Sequence, residues 1–212
     1  MTTALATRPA MSIVAQSAGV GLPRYVMPDQ ARAIINAAET TAHRLLLETL
    51  WQSGGRISEV VRLRPCDLDM HEGALRLVNL KQRRRSMRTK TVYVSTELVG
   101  DLRRLATDAR IPSTGFLFGS QQHPGPISRQ YAWKLVQRYA QTSGVLMPTR
   151  DGGMAPATAR DFRHGAAVNQ VRQGVPLSEV AQQLGHARLD TTTIYARLAN
   201  AERRAMADQV RW

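Results

Sequence analysis

The sequence predicts a mainly α fold of the α+β class, a helical bundle carrying one small antiparallel sheet. Three observations point there. Apolar residues recur at helical spacing over most of the chain, as in Ala31, Ile34, Ile35 and Ala38. Residues 74–80 and 90–94 switch to alternation with period two. Glycine and proline punctuate the joints between these segments, at Gly54-Gly55, Pro65, Gly174 and Gly185. The composition, 43% hydrophobic and 21% charged over 212 residues, suits a folded domain with a real core.

Residues 1–21 are rich in Ala, Thr, Ser and Gly without periodicity and read as a flexible tail. From Pro28 a first helix begins, and a second follows through Leu45, Leu46, Leu47, Leu50 and Trp51 until Gly54-Gly55 ends it. A short third helix starts around Ile57-Ser58-Glu59 and stops at Pro65, with Arg56 at the junction. The two alternating segments form a β-hairpin whose connection, Lys81 to Thr89, is cationic. Ser95 opens a helix carrying Leu98, Leu102 and Leu105, and Ser128 caps another through Tyr139. Between them lies a loop of Gly, Pro and Ser around Phe116-Leu117-Phe118. After Gly152-Gly153 come helical stretches at Pro156–Gln173, Pro176–Leu184 and Asp190 to about Asn200, with 201–212 a possible continuation.

Charge narrows the function. There are 29 Lys+Arg against 16 Asp+Glu, a formal net charge of +13. Only Lys81, Lys90 and Lys134 are lysines, so the excess is almost wholly arginine, whose planar fork grips phosphate through paired N–H bonds. Polyanions are the expected partners. The single cysteine, Cys66, excludes an internal disulfide, and no Cys/His spacing resembles a zinc site. No apolar run approaches the ~20 residues of a membrane span, and the N-terminus lacks a secretion signal. A soluble, cytoplasmic protein is expected.

Two segments hold polar residues that a plain core does not require. In Gly55-Arg56-Ile57-Ser58-Glu59 a cation and a carboxylate lie three apart, a pattern also common in ordinary helix-start salt bridges. The other runs through Arg160-Asp161-Phe162-Arg163-His164, Leu184-Gly185-His186 and Thr193-Ile194-Tyr195. In order and spacing these motifs resemble the tyrosine recombinases, or phage-type integrases, over about residues 22–200. Arg56 lies in what looks like the family's first arginine box and Arg163 in its second.

The resemblance implies the fold of that family's catalytic domain, spanning 22–200, and a chemistry that needs neither metal nor high-energy cofactor. Tyr195 would attack a DNA phosphodiester to give a 3′-phosphotyrosyl enzyme and a free 5′-hydroxyl. Arg56 and Arg163 would meet the charge on the non-bridging oxygens, and His186 would donate a hydrogen bond to the same phosphate. A hairpin lysine would protonate the leaving oxygen, with Lys81 the first candidate and Lys90 the second. Glu59 would hold the Arg56 guanidinium, its alternative being a surface ion pair. At Arg160 the chain departs from the family, which usually has His or sometimes Lys there; an arginine cannot act as a base near neutral pH. His164 is a possible substitute, and a packing role is favoured for it. The remaining histidines, His43, His71 and His123, read as surface residues, and Tyr25, Tyr93, Tyr131 and Tyr139 as core or rim.

The rest of the charge reads as DNA-binding surface, with Arg83, Arg84, Arg85 and Arg88 at the hairpin tip and Arg129 at a helix start. The family works as a homotetramer on paired duplex sites, free chains being monomers or dimers. Residues 201–212 would then dock on a neighbouring protomer, and an accessory DNA-binding protein is a possible partner because no N-terminal clamp domain is legible. A bacterial, plasmid or phage origin follows from the same likeness. Integration, excision, inversion and resolution are equally compatible with the motifs. Two other functions share the fold: a DNA-binding regulator without turnover, and a relaxing topoisomerase of the type IB kind.

Overall fold

The computed structural model describes residues 23–78, 89–149, 151–185 and 190–207, with side chains in the last stretch described over 192–200. Eight α-helices occur among them: α1 Pro28–Asn36, α2 Thr41–Ser53, α3 Ile57–Val60, α4 Thr96–Asp108, α5 Arg129–Thr142, α6 Ala159–Arg172, α7 Leu177–Leu184 and α8 Asp190–Ala207. Two small antiparallel sheets accompany them. Strands β1 (Leu68–Asp69), β2 (Ala74–Val78) and β3 (Thr89–Tyr93) form one, in that order, and β4 (Leu146–Pro148) pairs with β5 (Met154–Pro156) in the other. The expectation of a single sheet is corrected here. Pairs as short as β4–β5, three residues each, carry too little alternation to stand out from a loop.

The caps follow the sequence. Thr40, Ser95, Ser128 and Thr158 each accept a backbone N–H from the first turn of the helix they precede. Thr158 and Asp161 bond reciprocally, a capping box that opens α6. Helix α8 runs unbroken across residue 200 to Ala207.

Helix α2 is central because its broad apolar side carries Leu45, Leu46, Leu47 and Leu50, all buried. Its polar residues Thr49 and Ser53 are buried too and return their hydroxyls to Leu45 and Thr49 carbonyls, so no polar atom there goes unpaired. Around it α1, α4, α5, the first sheet and the start of α6 close the main core. A second, smaller cluster gathers Tyr25, Ala167, Val168, Val180, Leu184, Tyr195 and Leu198 from the chain before α1 and from α6, α7 and α8.

The segment before α1 is strapped onto α6. Val26 donates its N–H to the Asp161 carbonyl at 3.2 Å, and Arg24 Nε meets the Asp161 carboxylate at 3.0 Å. Gly165 makes this approach possible, since a Cβ there would stand 2.1 Å from the Val26 carbonyl oxygen. Gly165→Ala should therefore destabilise the fold by about 1–3 kcal/mol through overpacking against backbone. Gly100, within α4, faces nothing closer than the Arg104 guanidinium at 3.9 Å. Gly100→Ala should add about 0.5–1 kcal/mol by restricting the unfolded chain. Urea unfolding of the two variants reads both signs.

Candidate functional site

The site forms where the C-terminal ends of α2 and α7 meet α3, α6 and β3. Gly54 closes α2 in the left-handed conformation, φ +56°, and a Cβ there would come within 2.9 Å of Leu184 Cδ2. At Gly55 a Cβ would meet Val60 Cγ2 at 2.8 Å. The glycine pair thus lets the end of α2 press against both α3 and α7.

Arg163 uses the carbonyls that this arrangement presents. Its Nη1 donates to Gly54 O at 2.7 Å and its Nη2 to Leu184 O at 2.8 Å. Both acceptors lie at helix C-termini, where carbonyls lack intrahelical partners and the helix dipole is negative. These two carbonyls orient the guanidinium. Burial, and then the nearby Arg56 charge, pull its pKa down to about 10, with Glu59 and Tyr195 acting the other way.

Arg56 precedes α3, and Glu59 follows one turn on. Glu59 is 1% exposed, so this is no surface ion pair. Its Oε1 accepts from Arg56 Nη1 at 2.6 Å, and its Oε2 accepts the Arg56 backbone N–H at 3.1 Å. From the opposite side Lys90 Nζ lies 3.1 Å from the same Oε2 and donates to the Gln183 carbonyl at 2.8 Å, tying β3 to α7. Burial pushes the Glu59 pKa up, but Lys90 and the Arg56 hydrogen bonds outweigh it and hold the carboxyl below its ordinary range. Lys90 moves down to about 8: burial dominates, Glu59 opposes, and the Arg163 and Arg56 charges add to the fall. Three cations therefore share one buried carboxylate, leaving an electropositive site.

Strand register explains why Lys90 is inside. It stands opposite Leu77, two residues from Val92, which stands opposite the buried Leu75. Alternation puts Lys90 on the core face and sends Tyr93 outward, 61% exposed.

Tyr195 comes from α8 and is 2% exposed, packed in the second cluster. Its hydroxyl lies 3.1 Å from His164 Nδ1, and Arg160 Nε lies 3.3 Å from His164 Nε2. Burial raises the phenol pKa, while the charges of Arg163, Arg160 and Arg56 oppose the rise. His164 was expected to serve in packing; instead it faces the one tyrosine that the motifs single out. Its place one turn after Arg160 and beside Arg163 was legible, but its contact with a residue 31 positions on was not.

Arg56, Glu59, Lys90, Arg163 and Tyr195 thus fall within one electrostatic neighbourhood, with Arg160 at its exposed margin. Lys81, His186, Arg83, Arg84, Arg85 and Arg88 lie outside the described residues. Arg129 is exposed at the start of α5, where Tyr131 and Trp133 are also exposed beside it. His43, expected on the surface without a partner, meets the buried Tyr139 hydroxyl at 2.7 Å. Arg24 and Asp161 were missed, although the Thr158–Asp161 spacing is a recognisable helix-start signal. No helix among the described residues is long and apolar enough to cross a membrane.

A model of the phage integrase family matches residues 24–202. The chain is 33% identical over 186 residues to the tyrosine recombinase XerD of Neisseria meningitidis serogroup B, covering 84% of this chain and 60% of that protein. It is 29% identical over 198 residues to XerD of Ralstonia nicotianae, covering 89% and 60%. The chain thus spans about 60% of the length of these curated relatives. Its fold is similar to that of a crystal structure of XerA recombinase, with TM-score 0.72 and 22% identity over 90% of this chain and 67% of the other. A XerH recombinase bound to a palindromic difH substrate, described as a post-cleavage complex, also gives 0.72, at 21% identity over 96% and 57%.

Two measurements probe the shared carboxylate. Glu59→Gln removes the anion and leaves Arg56 and Lys90 facing each other in a buried place, which should cost about 3–5 kcal/mol in unfolding free energy. In spectra of labelled lysine side chains, the signal that disappears in Lys90→Met should titrate near pH 8 in the parent chain and lower in Glu59→Gln. Between about 8 and 10.5 folded Lys90 binds fewer protons than unfolded, so its contribution makes stability rise with pH there, and Lys90→Met should flatten that slope.

Proposed function

The chain belongs to the phage integrase family, and from that premise we propose that it is a tyrosine-type site-specific recombinase that cuts and rejoins duplex DNA through a 3′-phosphotyrosyl link. The observation that carries this reading is the convergence of Arg56, Arg163 and Tyr195 from three distant parts of the chain, two cations acting on one buried phenol.

The chemistry follows from that grouping. Tyr195 gives up its phenol proton to water and its Oη attacks phosphorus; the Tyr–O–P bond forms as the bond to the 5′-oxygen breaks, and the 5′-oxygen takes up a proton from the lysine assigned below. Charge accumulates on the non-bridging oxygens during the attack. Arg56 and Arg163, held rigid from behind, meet it with paired N–H donors that need no reorganisation. His186 adds a hydrogen bond to the same phosphate. Lys81 is assigned the proton for the leaving oxygen, because Lys90 is committed to Glu59 and to the Gln183 carbonyl. In this assignment Lys90 positions Arg56 through Glu59. Rejoining is the reverse: the 5′-hydroxyl attacks and the phenolate leaves.

Duplex DNA is the substrate in this reading, and the XerH complex with its difH substrate, similar in fold, supports it. Arg129, with Tyr131 and Trp133 beside it on α5, and the hairpin arginines Arg83, Arg84, Arg85 and Arg88 are assigned to the backbone of that duplex. A homotetramer on paired sites completes the assignment. One observation favours a second reading, a DNA-binding regulator without turnover: Tyr195 is only 2% exposed, so its hydroxyl must be uncovered before it meets a phosphate.

A nicked suicide substrate carrying the cognate site, incubated without added metal, separates the two. The recombinase reading expects a covalent protein–DNA adduct that is absent in Tyr195→Phe and falls about 10²–10³-fold in rate in Arg163→Ala. Tight DNA binding by the parent chain with no adduct on any tested site would overturn it in favour of the regulator. Arg129→Ala should weaken binding and shallow its salt dependence by about one counterion.

A further inference from the structure

We propose that His164 holds the Tyr195 oxygen through an Nδ1–H donor, and that Arg160 fixes the imidazole in that tautomer. The proposal rests on the nucleophile reading of Tyr195 given above, and its first test does not depend on turnover.

Three side chains stand in line. Arg160 and His164 lie one turn apart on α6, with Arg160 Nε 3.3 Å from His164 Nε2. On its other side the ring presents Nδ1 to Tyr195 Oη at 3.1 Å, the two rings tilted at 47° with centroids 5.7 Å apart. A guanidinium donates hydrogen bonds and accepts none. The nitrogen that faces it must therefore accept, and a neutral imidazole carries its single N–H on the other nitrogen. That nitrogen is Nδ1. The ring is neutral at pH 7: burial and the Arg160 charge, joined by Arg163 and opposed by Asp161, bring its pKa down to about 4.

The direction of the bond decides the role. Nδ1–H donates to the tyrosine oxygen, so His164 takes no proton from it. A phenolate accepts such a bond more strongly than a phenol, since the bond becomes charge-assisted. His164 thereby favours the oxygen in the form that attacks phosphorus and that leaves when the strand is rejoined. It touches the reacting atom and is a catalytic residue. Arg160 acts through it and is a positioning residue, which gives an arginine unable to serve as a base a definite task. The buried alternative, a ring whose Nε2 carries the proton, would set two donors against each other at Arg160.

Nitrogen-15 spectra of the full chain labelled at its five histidines decide the first half. The ring that vanishes in His164→Asn should show the Nδ1–H tautomer in the parent chain at pH 7 and shift toward Nε2–H in Arg160→Leu. An Nε2–H ring in the parent overturns the proposal, and an unchanged ring in Arg160→Leu overturns the part given to Arg160. Adduct formation on the suicide substrate decides the second half. His164→Leu should lose about 10- to 100-fold, and His164→Asn, which puts an amide N–H near the place of Nδ1–H, should recover most of that loss. Equal losses in both variants overturn a donor role. If the parent forms no adduct at all, the recombinase reading fails, and the tautomer still decides whether Arg160 and His164 are linked as described.

Discussion

The structure of the site depends on one buried carboxylate. Arg56, Lys90 and Arg163 carry like charge close together; Arg163 and Arg56 add to the cost of charging Lys90, and Arg56 to that of charging Arg163. Glu59 is what makes their coexistence tolerable: its two oxygens take the Arg56 guanidinium, the Arg56 backbone N–H and the Lys90 ammonium. A buried ion pair of this kind contributes little net stability, because desolvation consumes most of the Coulombic gain. What it supplies is position. The guanidinium stays where it is placed, and positive charge remains in surplus around it.

Arg163 is held by a different device. The fold offers it the carbonyls of Gly54 and Leu184 at the ends of α2 and α7. Partial charges at helix termini suffice to orient a cation. This needs α2 and α7 to end at the same point, which in turn needs the left-handed Gly54 and the closely packed Gly55. The glycine pair therefore matters to the chemistry through packing.

The phenol belongs to another part of the molecule. Tyr195 sits in the smaller core with Tyr25, Val180, Leu184 and Leu198, separate from the main core around α2. Helix α6 spans the two, carrying Phe162 in the main core and Arg163, His164, Ala167 and Val168 toward the phenol. The strap of residues 24–26 fastens the same helix through Arg24 and Asp161.

The amino-acid sequence by itself determined the helices, the caps Ser95 and Ser128, the main hairpin and the grouping of Arg56, Arg163 and Tyr195 as residues of interest, because periodicity, cap chemistry and motif spacing are local properties. Even the burial of Lys90 was latent in its strand parity with Val92, though a lysine on an alternating strand is ordinarily read as the solvated side. Tertiary structure alone decided the rest. Which carboxylate lies between which cations, that His164 faces a tyrosine 31 residues away, and that Tyr131 and Trp133 stand exposed beside Arg129 all follow from how elements pack. Such contacts depend on crossing geometry and burial, which no pattern within a single segment encodes. The pKa values of Lys90 and His164 are consequences of the same packing, since desolvation is the largest cause of both shifts and exists only once the chain has closed around them.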